Sequence, residues 1–137
     1  MWTIQSRWRL VSLLLIGLLF IAAGFNHFAN PGFYLKITPD FIPWPRRMIT
    51  ISGVFEVLGG VGVLVPWLRR SAGWGLIVLL LAVLPVHVDM LVHVERFPDV
   101  PLWALVARLL LQPLLIVWVW WAAVSSKSLM RRRSMSQ

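Results

Sequence analysis

The stretch PLWALVARLLLQPLLIVWVWWAAV occupies residues 101–124 and contains a single charged residue, Arg108. A helix that crosses a bilayer needs about 20 consecutive, mostly apolar residues. Three further stretches meet this requirement, at about residues 8–28, 47–65 and 71–94. The sequence therefore predicts four membrane-spanning helices.

The composition of the 137-residue chain supports a membrane location. Hydrophobic residues make up 59% of the chain and charged residues 13%, against roughly 45–50% and about 25% in soluble domains. A soluble domain of this length has too little interior to bury so much apolar surface. We therefore expect the lipid bilayer, and no nucleic acid, as a partner. The absence of cysteine excludes disulfides, Cys-ligated zinc and iron–sulfur clusters.

The gaps between the spans determine the predicted fold. Several prolines and the pair Pro31-Gly32 indicate turns and loops there, and most gaps are short, so neighbouring helices should run antiparallel. We expect an all-α membrane four-helix bundle that forms a single domain over residues 1–137. The first loop is longer and should fold over the outer mouth of the bundle. Residues 1–24 also resemble a signal peptide, but retention of the first helix gives a consistent even number of spans.

The basic residues indicate the orientation of the chain. The N-terminal segment, the second loop and the tail at residues 125–137 carry eight of the thirteen Lys and Arg residues and no acidic residue. These eight are Arg7, Arg9, Arg69, Arg70, Lys127, Arg131, Arg132 and Arg133. The first and third loops carry four, beside three acidic residues. The positive-inside rule therefore places both termini in the cytoplasm. An alternative role for the basic tail is binding of anionic lipid head groups.

Polar residues within or close to the predicted spans are the candidate functional residues. Ionisable groups at membrane depth are costly and face the bundle interior or water. They lie between the bilayer midplane and the outer surface, which predicts a pocket that opens outward under the first loop. The predicted ligand-binding residues are Asn26, His27, Tyr34, Glu56, His87, Asp89, Arg108 and Gln112.

Helical spacing and depth predict specific contacts in this pocket. Arg108 and Gln112 are four residues apart and share a helix face. Glu56 and Arg108 lie at similar depth on different helices, and an unpaired charge there is unfavourable. We therefore predict an interhelical Glu56–Arg108 ion pair. Whether such a pair fixes helix register or takes part in chemistry is left open by the sequence.

The third span raises the question of a metal site. Asp89 and His93 are four residues apart, whereas His87 points about 160° away from Asp89 on an ideal helix. His27 is a candidate ligand from another span. Neither a zinc-protease spacing nor a cysteine is present. We favour solvated histidines near the outer surface and predict no metal site.

Two glycines of the second span predict a helix–helix contact. Gly53 and Gly60 are two turns apart and lie on nearly the same face. Small residues allow the backbones of neighbouring membrane helices to approach closely. We interpret this face as a packing surface of the bundle.

Several motifs together resemble small DoxX-like membrane proteins over roughly residues 10–122. They are AGFNHF at residues 23–28, with Pro31, Tyr34, Pro39 and Pro43 after it, ISGVFE at residues 51–56, RRSAGWG at residues 69–75, and Arg108 with Gln112. The third span departs from the family pattern at His87 and Asp89. The resemblance implies a four-helix integral protein of the bacterial inner membrane. The family takes its name from a subunit associated with thiosulfate:quinone oxidoreductase.

These observations support three functional hypotheses. The first is an accessory or assembly protein that binds a lipid-like ligand, a helix of a membrane-protein partner, or a second copy of the chain. The second is the membrane subunit of a quinone-linked oxidoreductase, with a quinone head group held by His27, Glu56 and Arg108. The third is a small transporter, which would need to oligomerise because four spans are few for alternating access. The sequence leaves open whether the protein is an enzyme.

Overall fold

The computed structural model describes the backbone of residues 4–125 and the side chains from residue 7 onward. The described chain is all-helical and forms an antiparallel bundle, which confirms the predicted fold class. The basic residues of the predicted tail, from Lys127 to Arg133, lie outside the described residues. The helices are α1 (Ile4–Ala29), α2 (Pro31–Ile37), α3 (Pro45–Leu64), α4 (Arg69–Val92) and α5 (Leu102–Val119), with a 3₁₀ turn at Val94–Arg96 and a π helix at Trp120–Val124.

Four of these helices are long and apolar enough to cross a membrane. They are Arg7–Ala29, Pro45–Leu64, Arg69–Val92 and Leu102–Val124, the last combining α5 with the π helix. Large apolar side chains such as Leu18, Phe55, Val78 and Leu110 are exposed on the outside of the bundle. Lipid tails are as apolar as these side chains, so a bilayer accommodates the exposed surface. The chain is therefore a membrane protein.

The first connection differs from its prediction because it contains a helix. The sequence Pro31-Gly32 indicated a turn, yet Pro31 is the first residue of α2. Backbone N–H groups in the first turn of a helix have no acceptor within the helix. Proline, which lacks this group, is therefore compatible with the position. Pro45 begins α3 in the same way, after Trp44 in the left-handed backbone region at φ 47°. The connection thus places a short helix over one end of the bundle, called the α2 end below.

Glycines bring α1 and α3 into backbone contact, as the spacing of Gly53 and Gly60 predicted. A Cβ atom added at Gly24 would lie 2.6 Å from the carbonyl oxygen of Gly53. One added at Gly60 would lie 2.8 Å from the carbonyl oxygen of Gly17. The two glycines on each helix are seven residues apart, so the antiparallel helices meet at two points two turns apart.

The opposite end of the bundle, where α1 begins and the π helix lies, is close-packed and is called the terminal end. The buried residues Ile16, Val63, Leu76, Val119 and Ala123 belong to its core. α1 packs on the π helix but has little contact with α5 itself. The first and last spans therefore touch only at the terminal end, through the π helix, and α1 and α5 diverge toward the α2 end.

An arginine adds a polar contact at the terminal end. Arg9 on α1 donates a hydrogen bond from Nη2 to Oγ of Ser125 at 3.3 Å. Its guanidinium lies 5.2 Å from the centre of the Trp121 ring, within the range of a cation–π interaction. These contacts join the beginning of α1 to the π helix.

Candidate functional site

A cavity of about 360 Å³ lies between α1, α3, α4 and α5 and is partly open to the outside of the bundle, where the lining residues Leu19 and Leu111 are exposed. This volume is within the range of small-molecule binding sites, which is about 300–1,000 Å³. α2 and the segment after it line the cavity at the α2 end. Most lining residues are apolar, and the polar ones come from every spanning helix. The lining residues are Leu19, Phe20, Ala23, His27, Tyr34, Ile37, Thr38, Ile42, Met48, Ile49, Ser52, Glu56, Leu79, Leu80, Val83, Val86, His87, Arg108, Leu111, Gln112 and Leu115.

His27 and Glu56 form an ion-pair contact across the α1–α3 interface. Nε2 of His27 lies 3.1 Å from Oε2 of Glu56, and only 12% and 15% of the two side chains are exposed. The other ring nitrogen of His27, Nδ1, lies 3.1 Å from the carbonyl oxygen of Ile49. Oε2 of Glu56 is shielded from solvent. The close approach at Gly24 and Gly53 brings the two helices near enough for this contact.

Tyr34 attaches α2 to the same part of α1. Its ring stacks on the His27 ring, with 4.0 Å between ring centres and 26° between ring planes. The Tyr34 hydroxyl accepts a hydrogen bond from Nδ2 of Asn26 at 2.7 Å. Nδ2 of Asn30 donates to Oδ1 of Asn26 at 2.6 Å, and the Thr38 hydroxyl donates to the Tyr34 carbonyl oxygen at 2.6 Å. This network fixes α2 over the cavity, so the predicted contribution of Asn26 is indirect.

Arg108 and Gln112 reach the cavity from α5. They lie one turn apart and both line it, in agreement with their predicted common face. Only 5% of Gln112 is exposed. Within residues 7–125, neither side chain makes a hydrogen bond or ion pair with another residue. Two strong hydrogen-bonding groups therefore face the cavity without a protein partner.

The predicted Glu56–Arg108 ion pair is wrong. Among the residues that the structure describes, Glu56 is paired with His27, and Arg108 lies beyond ion-pair distance of its carboxylate. Equal depth in the bilayer does not ensure contact, because the rotation of each helix decides which neighbour a side chain faces. Glu56 and Arg108 nevertheless line the same cavity.

His87 and Asp89 lie on different faces of α4, as their spacing predicted. His87 lines the cavity, whereas Asp89 does not. Oδ1 of Asp89 lies 3.2 Å from Nδ1 of His93 in the predicted i, i+4 arrangement. No group of three potential metal ligands occurs within residues 4–125. Asp89 is therefore the one proposed pocket residue that the structure places outside the site and its supporting network.

Two polar residues that line the cavity, Ser52 and Thr38, were not predicted from the sequence. Ser52 precedes Glu56 by four residues, so the i, i+4 rule could have identified it. Thr38 follows α2, and no periodicity in the sequence indicated its position. The contact of the Ile49 carbonyl oxygen with His27 could not be predicted either, because every residue has a backbone carbonyl group.

The fold and the cavity together define a four-span membrane protein with a mixed apolar and polar internal site. A family model described as "Domain of unknown function (DUF8561)" matches residues 16–123, and the chain belongs to this family. The matched region includes every residue that lines the cavity. No curated protein and no solved structure matches the chain.

Proposed function

We propose that the chain is a DoxX-like accessory protein of the bacterial inner membrane whose internal cavity binds one lipid-like ligand. The cavity carries this proposal, because it combines an apolar wall with two polar side chains, Arg108 and Gln112, that have no partner among the described residues. The distribution of Lys and Arg supports a topology with both termini in the cytoplasm. The cavity would then lie in the outer half of the bilayer.

The arrangement of the lining suits an amphipathic molecule. The apolar residues Leu19, Leu80 and Leu115 lie on the side of the terminal end, where a chain or ring would be surrounded by hydrocarbon. Arg108 and Gln112 would meet a polar head group. A ligand that forms hydrogen bonds with these two side chains gains affinity and specificity from them. An accessory role follows if the protein holds this ligand for a membrane-protein partner.

A bound ligand can be detected by extracting the protein from the membrane without detergent, in polymer-bounded native discs. Mass spectrometry of the isolated discs should show a molecule that is retained in a one-to-one ratio with the chain. The variant Ala23→Phe fills the cavity from α1 and should lose this molecule. The matched control Ala82→Phe adds the same volume on an exposed face of α4 and should retain it.

Two results would contradict the proposal. One is the absence of any enriched molecule from the wild-type discs. The other is retention of the molecule by Ala23→Phe to the same extent as by Ala82→Phe. Thermal unfolding of both variants in the discs would show whether they remain folded.

A quinone-linked oxidoreductase subunit is the second candidate. The stacked rings of His27 and Tyr34 beside the cavity favour it, because a quinone ring can extend such a stack. Gln112 could donate a hydrogen bond to a quinone oxygen. In this case the retained molecule would be an isoprenoid quinone, and reduction by dithionite in the discs would change its absorbance.

A further inference from the structure

We infer that the ligand of this cavity has an anionic head group, a carboxylate or a phosphate, which Arg108 binds with assistance from Gln112. This inference rests on the proposed function, since it specifies the charge of the ligand that the cavity holds.

Arg108 brings a permanent positive charge to the cavity. A guanidinium remains protonated in proteins, and Arg108 has no ion-pair partner among the residues that the structure describes. A charged side chain at membrane depth is strongly unfavourable unless a charge of opposite sign or water compensates it. Among the described residues, Glu56 is the only acidic one that lines the cavity.

The contacts of His27 show that Glu56 does not compensate Arg108. The Ile49 carbonyl oxygen can only accept a hydrogen bond, so Nδ1 of His27 carries a proton. Nε2 faces a carboxyl oxygen at 3.1 Å. A proton must lie between them, since otherwise two electron-rich atoms would face each other. It belongs either to an imidazolium beside a carboxylate or to a carboxylic acid beside a neutral imidazole, and both forms have zero net charge.

The remaining lining groups cannot make the cavity neutral. His87 is either neutral or positive, and it lies within electrostatic reach of Arg108. Tyr34, Thr38, Ser52 and Gln112 are uncharged groups under ordinary conditions. Beyond the cavity, Asp89 is engaged with His93. The lining therefore carries a net charge of at least +1, which an anionic head group would balance.

The chemistry of the α5 residues fits such a head group. A guanidinium presents two parallel N–H groups that match two oxygens of a carboxylate or phosphate. Gln112 lies one turn further along α5 and offers amide N–H donors to the same head group. From there, α5 continues with Leu115 toward the close-packed terminal end, where an alkyl chain would lie. The orientation of the ligand follows from this order of polar and apolar residues.

Three photoreactive probes test the charge of the head group. They share one diazirine-bearing alkyl chain and differ only in the head group, which is a carboxylate, a phosphate monoester or a primary alcohol. The full chain is reconstituted in discs of zwitterionic lipid, irradiated with each probe and digested. Mass spectrometry then measures the labelled fraction of the peptides that contain Ala23 and Leu115. We expect at least one anionic probe to label these peptides about tenfold more than the alcohol, as is typical of a charge-assisted hydrogen bond.

Variants of Arg108 assign the preference to its charge. Arg108→Gln should reduce labelling by the anionic probe to the level of the alcohol, and Arg108→Lys should retain most of it. Arg47→Gln removes the same charge from an exposed position outside the cavity and should change nothing. The comparison of the three probes on the wild-type chain does not depend on the folding of any variant.

The outcomes separate this inference from the proposed function. Equal labelling of the cavity peptides by all three probes would overturn the anionic head group and leave the lipid-binding function standing. No labelling of these peptides by any probe would overturn the proposed function itself. A preference for the carboxylate or for the phosphate would support the inference in either case and would distinguish a fatty acid from a phospholipid-like ligand.

Discussion

The two ends of the bundle achieve their structures by different means. At the terminal end, apolar side chains such as Ile16 and Leu76 fill the space between all four spanning helices. At the α2 end, α1 and α3 stay in contact at Gly24 and Gly53, and a cavity lies between this pair and the other two spanning helices. Polar contacts of His27 and Tyr34, together with a small apolar cluster around Met90, fix the geometry there. The terminal end is thus filled by protein side chains, whereas the α2 end leaves space between the helices for a ligand.

The largest effect on stability should come from breaking the polar contact at the α2 end. His27→Leu leaves Glu56 without its partner in a largely buried position. Removal of one member of a buried pair typically lowers the free energy of unfolding by about 3 kcal/mol. Unfolding in mixed micelles, followed by circular dichroism, would measure the loss. The matched change His93→Leu affects a more exposed contact and should have a smaller effect.

A double-mutant cycle tests the cause of this loss. In a Glu56→Leu background, His27→Leu should destabilise the protein much less, because no charge remains to be left unpaired. Equal losses in both backgrounds would mean that His27 acts through packing, for instance through its stack with Tyr34. In that case the stability of the α2 end would come from side-chain packing, as it does at the terminal end.

The second effect concerns the backbone contact between α1 and α3. Gly60→Ala places a Cβ atom 2.8 Å from the Gly17 carbonyl oxygen, so the helices must move apart. Overpacking of this kind lowers the free energy of unfolding by about 2 kcal/mol. Gly75→Ala is the control, because a Cβ atom there has open space. Its higher helix propensity should raise stability slightly, so the two variants should shift the unfolding transition in opposite directions.

The four spans could be predicted because an apolar run of sufficient length has few alternatives in a bilayer. That Glu56, Arg108 and Gln112 lie at similar levels of the bundle could be predicted as well, since rise per residue fixes position along a helix. Their level along the bundle did not predict which side chains these residues contact. The glycine spacing predicted that another helix packs closely on α3, but it did not predict that this helix is α1. The contact with α1 places His27 against Glu56. The helical state of α2 was missed because proline was interpreted only as a helix breaker.

The third effect compares two leucines one turn apart on α4. Leu76 is 1% exposed in the core of the terminal end, whereas Leu79 lines the cavity. Leu76→Ala leaves a void among close-packed atoms and should lower the free energy of unfolding by about 2 kcal/mol. Leu79→Ala only enlarges an existing cavity and should lower it by less than about 1 kcal/mol. Similar losses for both would indicate that the α2 end is packed more tightly than its cavity implies.

The smallest effect should come from the polar attachment of α2. Tyr34→Phe keeps the ring that stacks on His27 but removes the hydroxyl that accepts a hydrogen bond from Asn26. An exposed hydrogen bond of this kind contributes about 0.5–1 kcal/mol. The loss should be local, because α2 belongs to a separate small apolar cluster with Met90 and Leu105 and not to the close-packed core of the terminal end. Amide hydrogen exchange of residues 31–37 should accelerate about threefold, while exchange in α3 at the terminal end stays unchanged.

The control Thr50→Val removes an exposed hydroxyl whose hydrogen bond lies within α3 and should leave exchange in α2 unaffected. Acceleration across the whole bundle in Tyr34→Phe would instead mean that the two ends unfold as one unit, so the hollow end could not open to a ligand independently of the packed one.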